Sequence, residues 1–163
     1  MVSKREVRHE GHRRKFLAVV DSTPECEKAI HYAARRVAAI DADLVLIYVI
    51  EPGDFQHWLG VEDVMRAEAR AEAEAALAKA SAWAVTFGGI TPQLEIREGR
   101  PVAAIESLIE DDHDIALMVL AAGDASEGPG PLVSAIAGTG GAFSIPVTVV
   151  PTTLTDEDID DLV

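Results

Sequence analysis

The sequence predicts an α/β protein in which strands and helices alternate and form a parallel sheet covered by helices on both faces. Three observations lead to this prediction. The chain has 163 residues, 48% of them hydrophobic, which suits one compact domain with a full core. Four short apolar runs have the length and β-branched content of buried parallel strands, and a fifth segment alternates between apolar and polar residues as an edge strand would. Helix-like segments separate these runs, as the crossover connections between parallel strands require.

The first strand and helix are predicted at the start of this pattern. Residues 16–21 (FLAVVD) form an apolar run that ends at an aspartate. Ser22 and Glu25 then have the spacing of a capping box, with Pro24 in the first helical turn. The residues that recur at helical spacing after them are Cys26, Ala29, Ile30, Ala33 and Val37.

The second strand is predicted at residues 43–52, which are almost entirely apolar and end at a proline. The loop after it contains Phe55, His57 and Trp58, the densest aromatic patch in the chain. Residues 62–86 are rich in Ala, Glu and Arg at three- and four-residue spacing, which predicts a long helix with a charged outer face.

The third strand is predicted at residues 91–99, where Leu94 and Ile96 alternate with polar residues as on an edge strand. A helix should follow from Pro101 through Ile109. Residues 115–122 are fully apolar and predict a fourth, central strand.

The last helix and strand follow a glycine- and proline-rich loop that begins after the fourth strand. A short helix is predicted from about Pro131 to Phe143, with the proline in its first turn, where a missing N–H costs nothing. Residues 146–151 (PVTVVP) predict the fifth strand. Ligands of such sheets bind beyond the carboxyl ends of the strands, here the ends of the first, second and fourth.

The charge of the chain is negative and uneven. The formal net charge is −14, which argues against DNA, RNA and anionic membranes as partners. We delimit a basic N-terminal arm at residues 1–13 and an acidic C-terminal tail at 152–163. Both are expected to be solvated and partly mobile, although the arm could also contact an acidic surface, including the tail of its own or a neighbouring subunit.

Several classes of protein and site are excluded or disfavoured. No apolar stretch is long enough for a membrane helix and no apolar leader follows the basic arm, so a cytoplasmic location is expected. The single cysteine, Cys26, is expected to be a core residue. There is no nucleophile elbow and no Ser/His/Asp arrangement, and the five histidines show no metal-ligand spacing, so we predict neither catalytic residues nor a resident metal.

Five segments together resemble the universal stress protein (UspA-like) family over residues 14–151. They are FLAVVDSTPECEKAI, LIYVIEP, GRPVAAI, IALMVLAA and SIPVTVVP. The resemblance implies a three-layer α/β/α sandwich of the adenine nucleotide α-hydrolase-like type, with a five-stranded parallel sheet of order 3-2-1-4-5. It also implies a homodimer, and either an ATP-binding subclass or one that binds no nucleotide.

The resemblance implies a set of nucleotide-binding positions. Asp21 would contact the ribose or adenine, with Val19 beside it, and Val49 would hold the base. The alternative for Asp21 is a helix-entry residue that accepts backbone N–H groups, and for Val19 and Val49 it is core packing. The phosphates of such members rest on a loop of the form G-x2-G-x9-G-[ST] after the fourth strand.

That loop departs from the family motif. Its glycine positions hold Ala121, Asp124 and, after a deletion, Val133, and only Ser134 is kept. The alternative for Ser134 is a helix cap or a simply exposed hydroxyl. The glycines that remain in the loop are Gly123, Gly128 and Gly130.

Charge also disfavours phosphate in this loop. No Lys or Arg follows Arg100, and Asp124 and Glu127 would repel phosphate unless they held Mg²⁺. ATP with Mg²⁺ is therefore one hypothesis, and another small ligand in the same cleft is a second.

Two functions from different classes remain open. One is a stress-response module that senses a small ligand through Asp21, Val49 and residues 121–134. The other is a nucleotide-independent interaction protein whose partners meet the acidic surface or the aromatic loop. In both, two copies would associate through the edge strand Pro146 to Val150, unless the two flanking prolines keep that edge monomeric.

Overall fold

The computed structural model describes residues 4–52, 61–124, 126, 128–139 and 143–163. Five parallel strands form one sheet of order β3-β2-β1-β4-β5, which confirms the predicted order. The strands are β1 Lys15–Val19, β2 Asp43–Ile50, β3 Gln93–Glu98, β4 Ile115–Ala121 and β5 Val147–Val150. In the register, Leu17 of the central strand pairs with Val45 on one side and Met118 on the other.

In the described part of the chain, five helices connect or follow the strands. They are α1 Cys26–Ile40, α2 Val61–Gly88, α3 Pro101–Asp111, α4 Pro131–Gly138 and α5 Asp156–Leu162. The first four were predicted, but α4 ends at Gly138, five residues before the predicted end at Phe143. Among the described residues, no helix combines the length and the apolar composition needed to cross a membrane.

The sheet buries both faces, as its alternating side chains require. Phe16, Ala18 and Leu44 pack with α1 and α2 on one face. Leu17 and Val45 pack with α3 and α4 on the other. Successive residues of β1 therefore enter opposite cores, which gives the three-layer sandwich expected from the fully apolar strands.

The entry to α1 differs from the predicted capping box. The helix begins at Cys26, and its N-cap, Glu25, makes no side-chain capping hydrogen bond. Asp21 instead organises this turn, because its Oδ1 accepts from the backbone N–H of Thr23 at 2.9 Å and from the Thr23 hydroxyl. An aspartate that binds the backbone two residues on satisfies the turn locally, so Ser22 is not needed as a cap.

The acidic tail is folded, which the composition did not indicate. Thr155 and Asp158 form a reciprocal capping box at the start of α5, and Ile159 is completely buried. The helix packs on α1. The Lys28 ammonium donates to the carbonyl oxygens of Thr152 and Leu154 and fixes the connection from β5.

Candidate functional site

The carboxyl ends of β1 and β4 meet where the strand order reverses, with α1 and α4 leaving on opposite faces of the sheet. A cavity of about 90 Å³ lies there. Of the predicted site residues, Val19, Asp21, Ala121 and Gly130 line it. The structure therefore brings these four together, in a space smaller than the roughly 300 Å³ or more of an ordinary ligand pocket.

Further residues of the α1 entry and the α4 start line the same cavity but were not predicted as site residues, among them Thr23, Glu25, Cys26 and Leu132. The spacing of Asp21 and Thr23 is typical of an Asx turn and could have identified Thr23. Cys26 is 1% exposed and its burial raises the pKa of the thiol to about 11, so it remains a neutral thiol near pH 7. The prediction of a core cysteine is confirmed.

Asp21 is exposed at the rim of the cavity and takes part in a turn. Its Oδ1 is bound to Thr23, as the helix-entry interpretation expects. A carboxylate has two oxygens and about four lone-pair sites, so it can accept a ligand hydroxyl while the turn remains intact. Contact between Asp21 and a ligand stays a prediction.

The loop after β4 closes on itself. The Gly123 N–H donates to the Pro129 carbonyl oxygen at 3.0 Å. A Cβ at position 123 would lie 2.6 Å from the Gly128 carbonyl oxygen, so only glycine allows this approach of the two backbone segments. Gly128 and Gly130 have φ values of 86° and 96°, which side chains disfavour. The three glycines thus shape a closed turn.

This closed turn offers few donors to an anion. The Gly123 N–H is used internally, and Pro129 and Pro131 have no N–H. Ser134 is exposed in the first turn of α4, where its N–H donates to Gly130 at 3.0 Å, and its side chain does not line the cavity. The free donors of the helix start are those of its first residues, such as Leu132 and Val133.

The charges at this end of the sheet are negative. Asp21 and Glu25 line the cavity, and no lysine or arginine is among the described residues around it. Asp124 accepts from the Ser126 N–H at 2.8 Å and its hydroxyl at 3.0 Å, which lowers the pKa of the carboxyl. Glu127, its predicted partner for Mg²⁺, lies outside the described residues. These residues do not fit a triphosphate, whose oxyanions need donors and positive charge.

Val49 lies apart from this cavity. It lines a second cavity of about 340 Å³ together with Tyr48, Glu51, Glu68 and Glu72. Burial, followed by the charges of Glu72 and Asp21, raises the pKa of the Tyr48 phenol. Three carboxylates make this second cavity unfavourable for an anion. Val49 also packs beside Val19 on the core of the α3/α4 face, which agrees with the core-packing alternative for both.

The predicted aromatic loop of Phe55, His57 and Trp58 lies outside the described residues.

Comparison with known proteins gives the fold and the family. A universal stress protein UspA from Lactobacillus plantarum superposes with a TM-score of 0.70 at 22% identity, over 86% of this chain and 99% of that one. A universal stress protein in complex with cAMP superposes with a TM-score of 0.64 at 19% identity, over 88% of this chain and 100% of that one. A universal stress protein from Archaeoglobus fulgidus in complex with dAMP gives 0.55 at 16% identity, over 85% and 97%.

The sequence comparisons complete this result. A search of curated proteins found no match. The sequence model of the universal stress protein family matches residues 12–151 and so covers most of the chain, including every strand and the helices α1 to α4. The chain belongs to the universal stress protein family.

Proposed function

We propose that the protein acts in the stress response by non-catalytic binding and by association of two copies, and that it does so without a nucleoside triphosphate. The observation that carries the proposal is the closed turn after β4, in which the Gly123 N–H is bound to Pro129 rather than free for phosphate. The absence of positive side chains from the described lining of the cavity and the presence of Asp21 and Glu25 support it further.

The edge strand β5 supports the association of two copies. Among the residues that the structure describes, no strand pairs with its outer side, and Val149 is 40% exposed. An apolar groove of about 550 Å³ runs between this strand and α4, and its lining includes Leu120, Val133, Ile136, Phe143, Val147 and Val149. A second copy that brought its own β5 to this edge would cover unpaired backbone groups and apolar side chains together.

A lysine at position 149 is expected to convert the dimer into a monomer. In a dimer joined through β5, V149K would place one positive charge from each copy at the shared edge. The two charges would repel each other and should weaken association at least about tenfold. Sedimentation velocity over a concentration series measures the effect. The matched control is L94K, because Leu94 is 47% exposed on β3, the opposite edge of the sheet. A monomeric wild-type chain, or dissociation by L94K and not by V149K, would contradict this interface.

The second candidate function is the binding of a nucleoside-type ligand without a long phosphate chain. Its support is the convergence of Val19, Asp21 and Ala121 on one cavity at the reversal of the strand order. Two structural neighbours were determined in complexes with cAMP and dAMP. Such a ligand would use Asp21 for its hydroxyls and would require the small cavity to widen.

Thermal unfolding with nucleotides separates the two candidates. Millimolar ATP with Mg²⁺ is expected to leave the melting temperature unchanged. If cAMP, dAMP or adenosine binds, ligand at 100 times its dissociation constant should add about 2.7 kcal/mol to the free energy of unfolding. Stabilisation by ATP with Mg²⁺ that exceeds stabilisation by adenosine would contradict the proposed function.

Two variants then locate any nucleoside that binds. D21N keeps an acceptor oxygen for Thr23 but removes the charge, and it should weaken nucleoside binding about tenfold. E68Q, in the second cavity, is the control and should bind as the wild type does. The reverse result would move the ligand to the cavity beside Val49.

A further inference from the structure

The basic N-terminal arm folds against the amino end of β4. The cavity described above lies at the other end of the strands, beyond their carboxyl ends. The Arg5 guanidinium donates to the Ile109 carbonyl oxygen at 2.7 Å, and the Glu6 N–H donates to the His113 carbonyl oxygen at 3.0 Å. The backbone N–H of Lys15, the first residue of β1, donates to the Asp114 carbonyl oxygen at 2.9 Å. The arm is therefore fixed at both ends to the α3–β4 connection.

Two consecutive turns bring the arm's side chains to this connection. The His9 N–H donates to the Glu6 carbonyl oxygen at 2.8 Å, and the His12 N–H donates to the His9 carbonyl oxygen at 3.1 Å. These turns place Glu6 and His12 beside Asp114, although Asp114 is about a hundred residues further along the chain. Their metal-binding atoms all lie within 4.8 Å of one another.

The distances within the cluster are those of a site for a cation. His12 Nδ1 is hydrogen-bonded to Asp114 Oδ1 at 2.7 Å. The other ring nitrogen, His12 Nε2, lies 3.8 Å from Glu6 Oε2, and His113 Nδ1 lies 3.9 Å from Glu6 Oε1. Both of the longer distances exceed a hydrogen bond. Two ligands at about 2.1 Å from one tetrahedral Zn²⁺ lie roughly 3.4 Å apart, between the 2.7 Å and the 3.8 Å that separate the His12 ring from Asp114 and from Glu6.

The pairing of His12 with Asp114 has a chemical consequence. A Zn²⁺ ion bound by both side chains would replace the proton of their hydrogen bond, because metal ligands must be deprotonated.

The surroundings of the cluster allow a cation to enter. The side chains of His12 and Glu6 are 36% and 45% exposed, so the site is open to solvent, whereas Asp114, at 17%, is held more firmly. The carboxylates of Glu6 and Asp114 would balance the charge of a divalent ion.

We propose that Glu6, His12 and Asp114 form a Zn²⁺ site. An imidazole nitrogen and two carboxylate oxygens are ligands that zinc binds, with water completing the coordination. Sequence spacing could not indicate the site because its ligands come from two distant segments. A bound ion would join the arm to the start of β4 and so would stabilise this end of the sheet.

The test is a titration of the full chain, without an affinity tag, with Zn²⁺ in competition with a chromophoric chelator. One Zn²⁺ per chain is expected. H12A, E6Q and D114N should each weaken binding at least about tenfold, and H113A, which removes a ring beside the cluster, should bind Zn²⁺ more tightly than any of these three. Zn²⁺ should also raise the melting temperature of the wild type but not that of H12A.

The control is H57A, which removes a histidine from another part of the sequence and should leave Zn²⁺ affinity unchanged. Far-UV circular dichroism checks that each variant is folded, and Co²⁺ in place of Zn²⁺ should give the visible absorption of a tetrahedral site in the wild type alone. Wild-type affinity in H12A and E6Q, or an equal loss of affinity in H57A, would overturn the proposal.

Discussion

Replacing Ile159 by alanine is expected to lower the free energy of unfolding by about 3 kcal/mol, as for other large-to-small changes in a core. Ile159 belongs to the acidic segment at the end of the chain, yet it is 0% exposed in α5, which packs on α1. Alanine would leave a cavity under a short helix that has little else to bury. Urea unfolding followed by circular dichroism measures the loss.

The control for this prediction is L162A. Leu162 lies in the same helix but is 59% exposed, so its truncation should change the free energy of unfolding by less than about 0.5 kcal/mol. Equal effects of I159A and L162A would show that α5 does not pack on the domain in solution.

The docking of α5 also depends on a buried histidine of α1. His31 is 2% exposed and stacks on Phe87, with ring centroids 3.9 Å apart. Its Nε2 lies 2.8 Å from Asp160 Oδ1, and the Arg35 guanidinium donates to the same oxygen at 2.7 Å. Asp160 of the acidic tail therefore has two partners in α1, His31 and Arg35, and the sequence analysis did not predict this pairing.

The inner strands β1, β2 and β4 could be predicted because they are buried on both faces, which leaves a continuous apolar run. The helix α5 could not, since only Ile159 of its seven residues is buried and its acids are typical of a solvated tail. Its capping box begins with Thr155 but uses Asp158 where glutamate or glutamine is usual. The helix α4 ends at Gly138, with Thr139 as its C-cap, earlier than predicted. Only Ile136 of this helix is buried, so little packing supports further helical turns.

The candidate site was predicted in part for a similar reason. The ends of β1 and β4 are fixed by the order of the strands, so Val19, Asp21 and Ala121 could be placed together. Val49 lines a different cavity because β2 lies on the far side of β1 from β4. The hydrogen bond from Gly123 to Pro129 depends on how the loop folds, which composition does not specify.

The second large effect is expected from G88A at the end of α2. A Cβ at this position would lie 2.5 Å from the carbonyl oxygen of Ala34 in α1 and 2.7 Å from its carbonyl carbon. The neighbour is backbone inside a helix, so it cannot rotate away, and the two helices would have to separate. Their contact is built from small side chains, with Ala33, Ala34, Ala80 and Ala84 all buried. Overpacking of this kind should cost about 1–3 kcal/mol, measured by urea unfolding.

G138A is the matched control for the effect of G88A, because both glycines end a helix. A Cβ at position 138 would meet nothing within 4 Å. Alanine there only removes the conformational freedom of glycine in a helix, and it should raise the free energy of unfolding by about 0.5–1 kcal/mol. The two substitutions are chemically identical and are expected to have opposite signs, so a stabilising G88A would mean that α1 and α2 do not approach as closely as Gly88 and Ala34 indicate.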